Sequence, residues 1–150
     1  MLFVEAVEEA TPDIVAAISG LLPLLSKSAP PPSQDQIAEI VESPVSTLFI
    51  AKDDRTGEIV GTLTLVVFRI PSGVRAWIED VIVAEVARGQ GSGEALSRAA
   101  LEAARLSGAR TVELTSRPSR EAANRLYRRI GFVERETNVY RYSFDTDAPA

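Results

Sequence analysis

The chain of 150 residues contains no cysteine and no histidine. Without cysteine it can form no disulfide and has no thiol nucleophile, and the usual zinc ligands are missing, so we expect no metal site. Without histidine it cannot build a Ser-His-Asp arrangement, and it lacks the side chain that titrates near neutral pH. Acid–base chemistry must therefore fall to carboxylates, tyrosine, lysine, water or the substrate.

Other features that the sequence lacks exclude or disfavour whole classes of protein. No apolar run reaches the roughly 18 residues of a membrane span, and the acidic start, MLFVEAVEEA, does not resemble a signal peptide. The net charge is −5, and the one basic cluster is Arg128-Arg129, so nucleic acid is disfavoured and a cationic substrate is mildly attracted. We expect a single cytoplasmic domain over residues 1–150, with a frayed tail at 145–150.

Hydrophobic periodicity and turn signals predict an α/β protein with about four helices. The helices are expected from Thr11 to about Leu25 and over 33–42, 92–106 and 119–130. The strands are expected at 2–8, 47–51, 58–70, 74–83 and 111–115, with a last hairpin of 132–136 and 139–144. The predicted sheet is mixed, with six to seven strands, and the strands at 74–83 and 111–115 run parallel through a right-handed crossover.

A glycine-rich turn joins the predicted strand at 74–83 to the helix at 92–106. Glycines occupy alternate positions 89, 91 and 93, and Arg88 precedes them. A strand that passes through such a turn into a helix presents backbone N–H groups and the positive end of the helix dipole to one point. This arrangement predicts an anion site, most naturally for phosphate, at which a Cβ on Gly91 or Gly93 would keep a diphosphate from the amides. The spacing matches neither a dinucleotide fingerprint nor a Walker loop.

The pattern Arg-x-x-Gly-x-Gly, from Arg88 to Gly93, resembles the acyl-CoA pyrophosphate loop of the GNAT N-acyltransferase superfamily. A second stretch agrees with it, because 126–132, LYRRIGF, is similar to the Leu-Tyr-x-x-x-Gly-Phe end of the family's closing helix. The resemblance is strong over residues 74–133. It implies the GNAT fold, acetyl-CoA as the acyl donor and transfer of an acetyl group to an amine.

The resemblance also implies roles for individual residues. Tyr127 would protonate the leaving thiolate, and the backbone at 81–83 would pair with pantetheine like an added strand. The position seven residues before this tyrosine, asparagine in many relatives, is Arg120, so we assign a cofactor contact to Asn124 on the same helical face. The implied cofactor-binding residues are Val81, Ile82, Val83, Arg88, Gly89, Gln90, Gly91, Ser92, Gly93 and Asn124.

Several alternatives stay open at this point. Tyr127 could be an ordinary core aromatic. Glu79 is the candidate base, acting through a water, or else a surface acid, whereas Asp80 should point to the opposite face by strand alternation and be structural. Trp77 could line the acceptor pocket or fill the core.

With no cysteine to carry the acyl group, direct attack of the amine in a ternary complex is favoured over ping-pong transfer. The alternative function is a non-catalytic acyl-CoA sensor on the same fold. Candidate acceptors include amino sugars, polyamines, aminoglycosides, amino acids and protein N-termini. An edge strand at 139–144 predicts a homodimer.

Overall fold

A computed structural model describes residues 1–145, and the predicted tail falls almost wholly outside them. The described part contains four α-helices and five strands. The strands are β1 (Leu2–Ala6), β2 (Ser46–Asp53), β3 (Ile59–Ile70), β4 (Gly73–Val83) and β5 (Thr111–Glu113). The helices are α1 (Pro12–Leu21), α2 (Gln34–Glu42), α3 (Ser92–Leu106) and α4 (Glu121–Ile130), and short 3-10 turns cover Leu22–Leu24 and Glu85–Ala87.

Capping residues set the helix boundaries much as the sequence predicts. The Thr11 hydroxyl accepts a hydrogen bond from the Ile14 amide at 3.3 Å, with proline at the first helical position. Ser33 and Gln36 form a reciprocal capping box at the start of α2. Gly131 ends α4 with a φ of 114°, which a residue with a Cβ rarely adopts. Within residues 1–145, no helix is long and apolar enough to cross a membrane.

The sheet has the order β1-β2-β3-β4-β5. The first four strands pair antiparallel, and β5 runs parallel to β4, as predicted. The chain therefore crosses over between β4 and β5, and α3 forms the connection. The predicted count of six to seven strands is wrong for the described residues, because 132–136 and 139–144 form no strand there.

Helices cover both faces of the sheet. Alternation along β2 sends Leu48 and Ile50 toward α1 and α2, and sends Phe49 and Ala51 toward α3. On the α3 side Leu96 and two small residues, Ala100 and Ala104, are fully buried against the strands. This packing holds the beginning of α3 against the start of β3 and the end of β4, where the candidate site lies.

Strand β4 has a bulge at its two adjacent acidic residues, Glu79 and Asp80. Thr62 pairs with Ile82 and Thr64 pairs with Glu79, so β4 has one more residue than β3 over this step. Asp80 has a φ of 50°, a left-handed conformation that aspartate tolerates better than most residues. Simple alternation does not continue across a bulge, so the prediction that Asp80 points opposite to Glu79 loses its basis.

Candidate active site

The beginning of α3 is a helix N-terminus without a side-chain cap. Gly91 occupies the N-cap position with a φ of 86°, and Gly89 before it has a φ of 78°. A Cβ added at Gly89 or at Gly91 would have no protein atom within 4 Å. The backbone conformation, and not a shortage of space, therefore demands glycine here. The first-turn amides of α3 remain available to an anion.

Two neighbouring residues show how this turn is built. The Ser92 side chain is 1% exposed, and its hydroxyl has no hydrogen-bond partner in the described part of the chain. A buried hydroxyl without a partner is costly, and the same holds for the hydroxyls of Ser97 and Ser116. Gly93 is also required for helix packing, because its added Cβ would lie 3.1 Å from Cδ2 of Leu126. Its glycine lets α4 pack closely against α3. The cofactor contact assigned to Gly93 stays a prediction.

The edge of β4 opens beside this turn. The β4–β5 ladder spans only Arg75 to Trp77 on β4, although β4 continues to Val83. Among the residues that the structure describes, residues 78–83 therefore have no ladder partner on the β5 side, and β3 pairs with all of them except Asp80 and Val81 on the other. Backbone N–H and C=O groups on such an edge can pair with an extended ligand.

Helix α4 forms the opposite wall and contributes Tyr127. Its ring is 7% exposed and packs edge-to-face against Phe132, with ring centroids 5.7 Å apart. Burial raises the pKa of the Tyr127 phenol, and the charge of Arg120 acts in the opposite direction. Within residues 1–145 the Tyr127 hydroxyl donates no hydrogen bond to protein. The Tyr127 hydroxyl is thus protonated, and its hydrogen is available for a bond to a ligand.

These elements enclose one groove of about 800 Å³, within the range of small-molecule sites. Val81, Ile82 and Val83 line it from β4, Gly89, Gly91, Ser92 and Gly93 from the turn, and Tyr127 from α4. The groove thereby brings together the helix N-terminus, the open strand edge and the phenol. Leu24 and Leu25 from the turn after α1 also reach it.

Four arginines line the same groove, although the whole chain carries a net charge of −5. Arg129 bonds to Glu94 at 2.9 Å, and with Arg98 it lowers the pKa of that carboxyl. Arg88, Arg120 and Arg125 have no carboxylate partner in the described part of the chain. Unpaired guanidinium groups beside a helix N-terminus favour a ligand with several negative charges.

Three predicted site residues do not line the groove. Glu79 accepts a hydrogen bond from the Trp77 indole at 2.6 Å and is exposed. The Gln90 amide donates to the Val86 carbonyl at 3.1 Å, and the Asn124 amide donates to the Arg117 carbonyl at 3.0 Å. Asn124 therefore holds the loop before α4, and the cofactor contact assigned to it stays a prediction, as does the role of Glu79.

The sequence analysis assigns no role in this groove to Arg125 or Arg129, although the arginine-rich face of 119–132 could have indicated them. Asp80, which it interprets as structural, lies at the bulge and does not line the groove, and desolvation raises the pKa of its carboxyl. An aspartate inside a strand is a weak signal for a bulge, because aspartate tolerates positive φ. Among residues 1–145, no group of three acids is placed to hold a metal ion.

The family model described as "Acetyltransferase (GNAT) family" matches residues 14–132. This chain belongs to the GNAT acetyltransferase family. The match covers most of the chain, including the glycine turn and the end of α4. No curated protein sequence matches the chain.

Solved structures with the same fold include several acetyltransferases. One from Trypanosoma brucei is 27% identical with a TM-score of 0.78, over 95% of this GNAT chain and 100% of the other. An aminoglycoside acetyltransferase from an uncultured soil metagenomic sample, in complex with sisomicin, is 19% identical with a TM-score of 0.84, over 96% and 97%. Glucosamine-6-phosphate N-acetyltransferase from Arabidopsis thaliana is 18% identical with a TM-score of 0.80, over 97% and 99%. The last two likenesses concern the fold alone.

Proposed function

We propose that this GNAT protein transfers an acetyl group from acetyl-CoA to a primary amine by direct attack in a ternary complex. The observation that carries the proposal is the single groove that joins the α3 N-terminus, the open β4 edge and the Tyr127 hydroxyl. A diphosphate, an extended amide-bearing arm and a thioester sulfur would each find a matching group there. No second groove in the described residues combines these three elements.

The residues present fit acetyl-CoA. The first-turn amides at 92–94 would hold the diphosphate, and Arg88 would add charge. The backbone of Val81–Val83 would pair with the pantetheine amides. When bound, acetyl-CoA supplies an activated acetyl thioester. A backbone N–H near Val81–Val83 would stabilise the charge on its carbonyl oxygen.

Tyr127 would donate its proton, at Oη, to the departing sulfur. An ordinary thiol has a pKa of about 8.5 and a phenol about 10, so this transfer is uphill by roughly 2 kcal/mol. Burial of Tyr127 increases that cost, but a thiolate in the same desolvated groove also becomes more basic. The raised phenol pKa keeps the donor protonated across the working pH range.

The attacking amine must lose a proton, and Glu79 would accept it through a water. Its exposed position suits a relay, because water reaches the carboxylate directly. The Trp77 indole holds Oε1 of Glu79, which fixes the carboxylate and leaves Oε2 for the water. With no histidine or cysteine in the chain, no covalent acyl relay on those residues is available.

The test is turnover of labelled acetyl-CoA with a panel of amines that includes amino sugars, aminoglycosides, polyamines and amino acids. We expect saturable formation of an acetylated amine with at least one acceptor class and equal release of CoA. Tight acetyl-CoA binding without turnover on any acceptor would favour the non-catalytic sensor. Absence of acetyl-CoA binding would contradict both functions.

A further inference from the structure

Arg120 presents a positive charge to the groove that no protein group neutralises. It occupies the N-cap position of α4, where its side chain is exposed and makes no capping bond. It lines the groove together with Tyr127. Glu121, the next residue, lines the groove as well, but within residues 1–145 no ion pair joins the two side chains. The Arg120 guanidinium is therefore available to a negative charge on a ligand.

Helix geometry brings Arg120 and Tyr127 together. The Asn124 N–H donates to the Arg120 carbonyl at 3.0 Å, so the helical hydrogen bonds of α4 begin at Arg120. Seven residues make about two turns, which places Arg120 and Tyr127 on nearly the same face. Side chains on a helix lean toward its N-terminus, so Tyr127 leans toward Arg120. Consistent with this placement, the charge of Arg120 lowers the pKa of the Tyr127 phenol, against the larger effect of burial.

The other charged side chains of the groove are placed differently. Arg125 lies two residues before Tyr127 and thus about 200° away around the helix. Arg129 is held by Glu94 at 2.9 Å. Arg88 comes from the glycine turn, beside the α3 amides. Among the described residues, Arg120 is the one charged group that acts on the pKa of Tyr127. The charged residues that line the groove besides Arg120 are Arg88, Glu94, Glu121, Arg125 and Arg129.

We propose that the Arg120 guanidinium stabilises the negative charge that reaches the sulfur when CoA leaves, as a further catalytic group beside Tyr127. This inference rests on the proposed function. When the amine attacks and the C–S bond breaks, the bonding electron pair goes to sulfur. One negative charge then belongs to the sulfur and the Tyr127 oxygen together. It lies on sulfur before the phenol proton moves and on the phenol oxygen afterwards. A fixed cation beside both atoms stabilises the charge in either position.

The test compares CoA with desulfo-CoA, the same molecule without its sulfur, by calorimetric titration. A cation beside the sulfur lowers the pKa of the bound thiol below its ordinary value of about 8.5. The affinity for CoA should therefore rise relative to desulfo-CoA once the pH passes that lowered pKa, and the two should bind alike below it. In Arg120→Met this preference should fall about tenfold, which corresponds to a thiol pKa higher by one. The variant should fold, because the Arg120 side chain is exposed and caps nothing.

Two further variants separate the sulfur from the phosphates. Arg120→Lys keeps the positive charge and should restore most of the preference for CoA. Arg88→Met removes a charge at the glycine turn and should weaken CoA and desulfo-CoA to the same degree. If Arg120→Met also weakens both to the same degree, Arg120 binds a phosphate and the proposal is wrong. An unchanged preference for CoA in Arg120→Met would overturn it as well.

Turnover provides a second readout. Arg120→Met should lower kcat by about tenfold or more and leave the KM for acetyl-CoA nearly unchanged, because the charge appears only as the C–S bond breaks. Unchanged kcat in Arg120→Met, beside an active wild type, would overturn this inference and leave the proposed function intact. A wild type that binds no acetyl-CoA would overturn both.

Discussion

The start of α3 and the segment after α4 both have a local sequence pattern that predicts a structure, but only the first forms the structure predicted. At 88–93 the alternating glycines form the predicted turn, and α3 begins at Ser92 as expected. At 132–144 the alternating apolar residues form no strand within the described chain. A helix makes its backbone hydrogen bonds within its own segment, but a strand makes its ladder hydrogen bonds only with neighbouring strands. Local sequence therefore decides the first region, whereas the second depends on a neighbouring strand that it does not have among residues 1–145.

The largest expected effect concerns catalysis, which we expect to depend on the groove at the start of α3 and not on the segment after α4. Tyr127→Phe should lower turnover by about 10²–10⁴-fold, the usual loss for a positioned general acid. Acetyl-CoA affinity should hold, because the ring and its contact with Phe132 remain. Tyr140→Phe makes the same change at an 87% exposed position after α4 and should leave turnover unchanged. Near-wild-type turnover in Tyr127→Phe would show that the Tyr127 hydroxyl is not the general acid and that the ring serves only in packing.

The next effect compares packing in the two regions. Leu96 is fully buried between α3 and the sheet, so Leu96→Ala should lower the free energy of unfolding by about 2–5 kcal/mol. Val133, after α4, is 83% exposed, and Val133→Ala should change it by less than about 0.5 kcal/mol. Urea denaturation followed by circular dichroism measures both. Equal losses would show that residues after α4 pack more tightly than the structure shows.

A smaller effect concerns the shape of the pH–rate profile. If Glu79 is the base, Glu79→Gln should alter the acidic limb measured with one amine substrate, since no histidine can produce that limb. Asp80→Asn provides the comparison, because Asp80 lies next to Glu79 at the bulge. If Asp80→Asn removes the limb and Glu79→Gln does not, the base is Asp80.

The smallest expected effect is electrostatic and concerns the ion pair between Glu94 on α3 and Arg129 on α4. Hydrogen bonds from Arg129 and then Arg98 lower the pKa of the Glu94 carboxyl from its ordinary 4.5. A lowered folded-state pKa gives stability that is present above pH 4.5 and is lost as pH falls through the folded value. Glu94→Gln should therefore lower Tm slightly at pH 7 and make no difference once the carboxyl is protonated in wild type. Equal Tm values at pH 7 would show that these exposed pairs contribute nothing measurable.

Periodicity and caps predict α2, α3 and the β2–β4 meander because those signals act within a few residues. The bulge at Asp80 depends on how β4 pairs with β3, and strand register is a tertiary property that alternation alone does not contain. The groove lining from Arg125 and Arg129 likewise depends on how closely α4 approaches α3 at Gly93. The glycine turn and Tyr127 were predictable because their spacing resembles a family pattern.

Calorimetric titration of acetyl-CoA into two glycine variants shows whether the beginning of α3 binds the diphosphate. Gly91 and Gly108 lie at opposite ends of α3, with φ of 86° and 84°, and an added Cβ meets no atom within 4 Å at either. Gly91→Val and Gly108→Val should therefore each introduce backbone strain of about 1–3 kcal/mol. Thermal melts would establish that both fold, with Gly91→Ala as the milder replacement if Gly91→Val does not.

We expect Gly91→Val to abolish acetyl-CoA binding, because the valine side chain would stand between the diphosphate and the α3 amides, and we expect Gly108→Val to bind as wild type does. Unchanged affinity in Gly91→Val, or equal loss in both variants, would contradict a phosphate site at the beginning of α3.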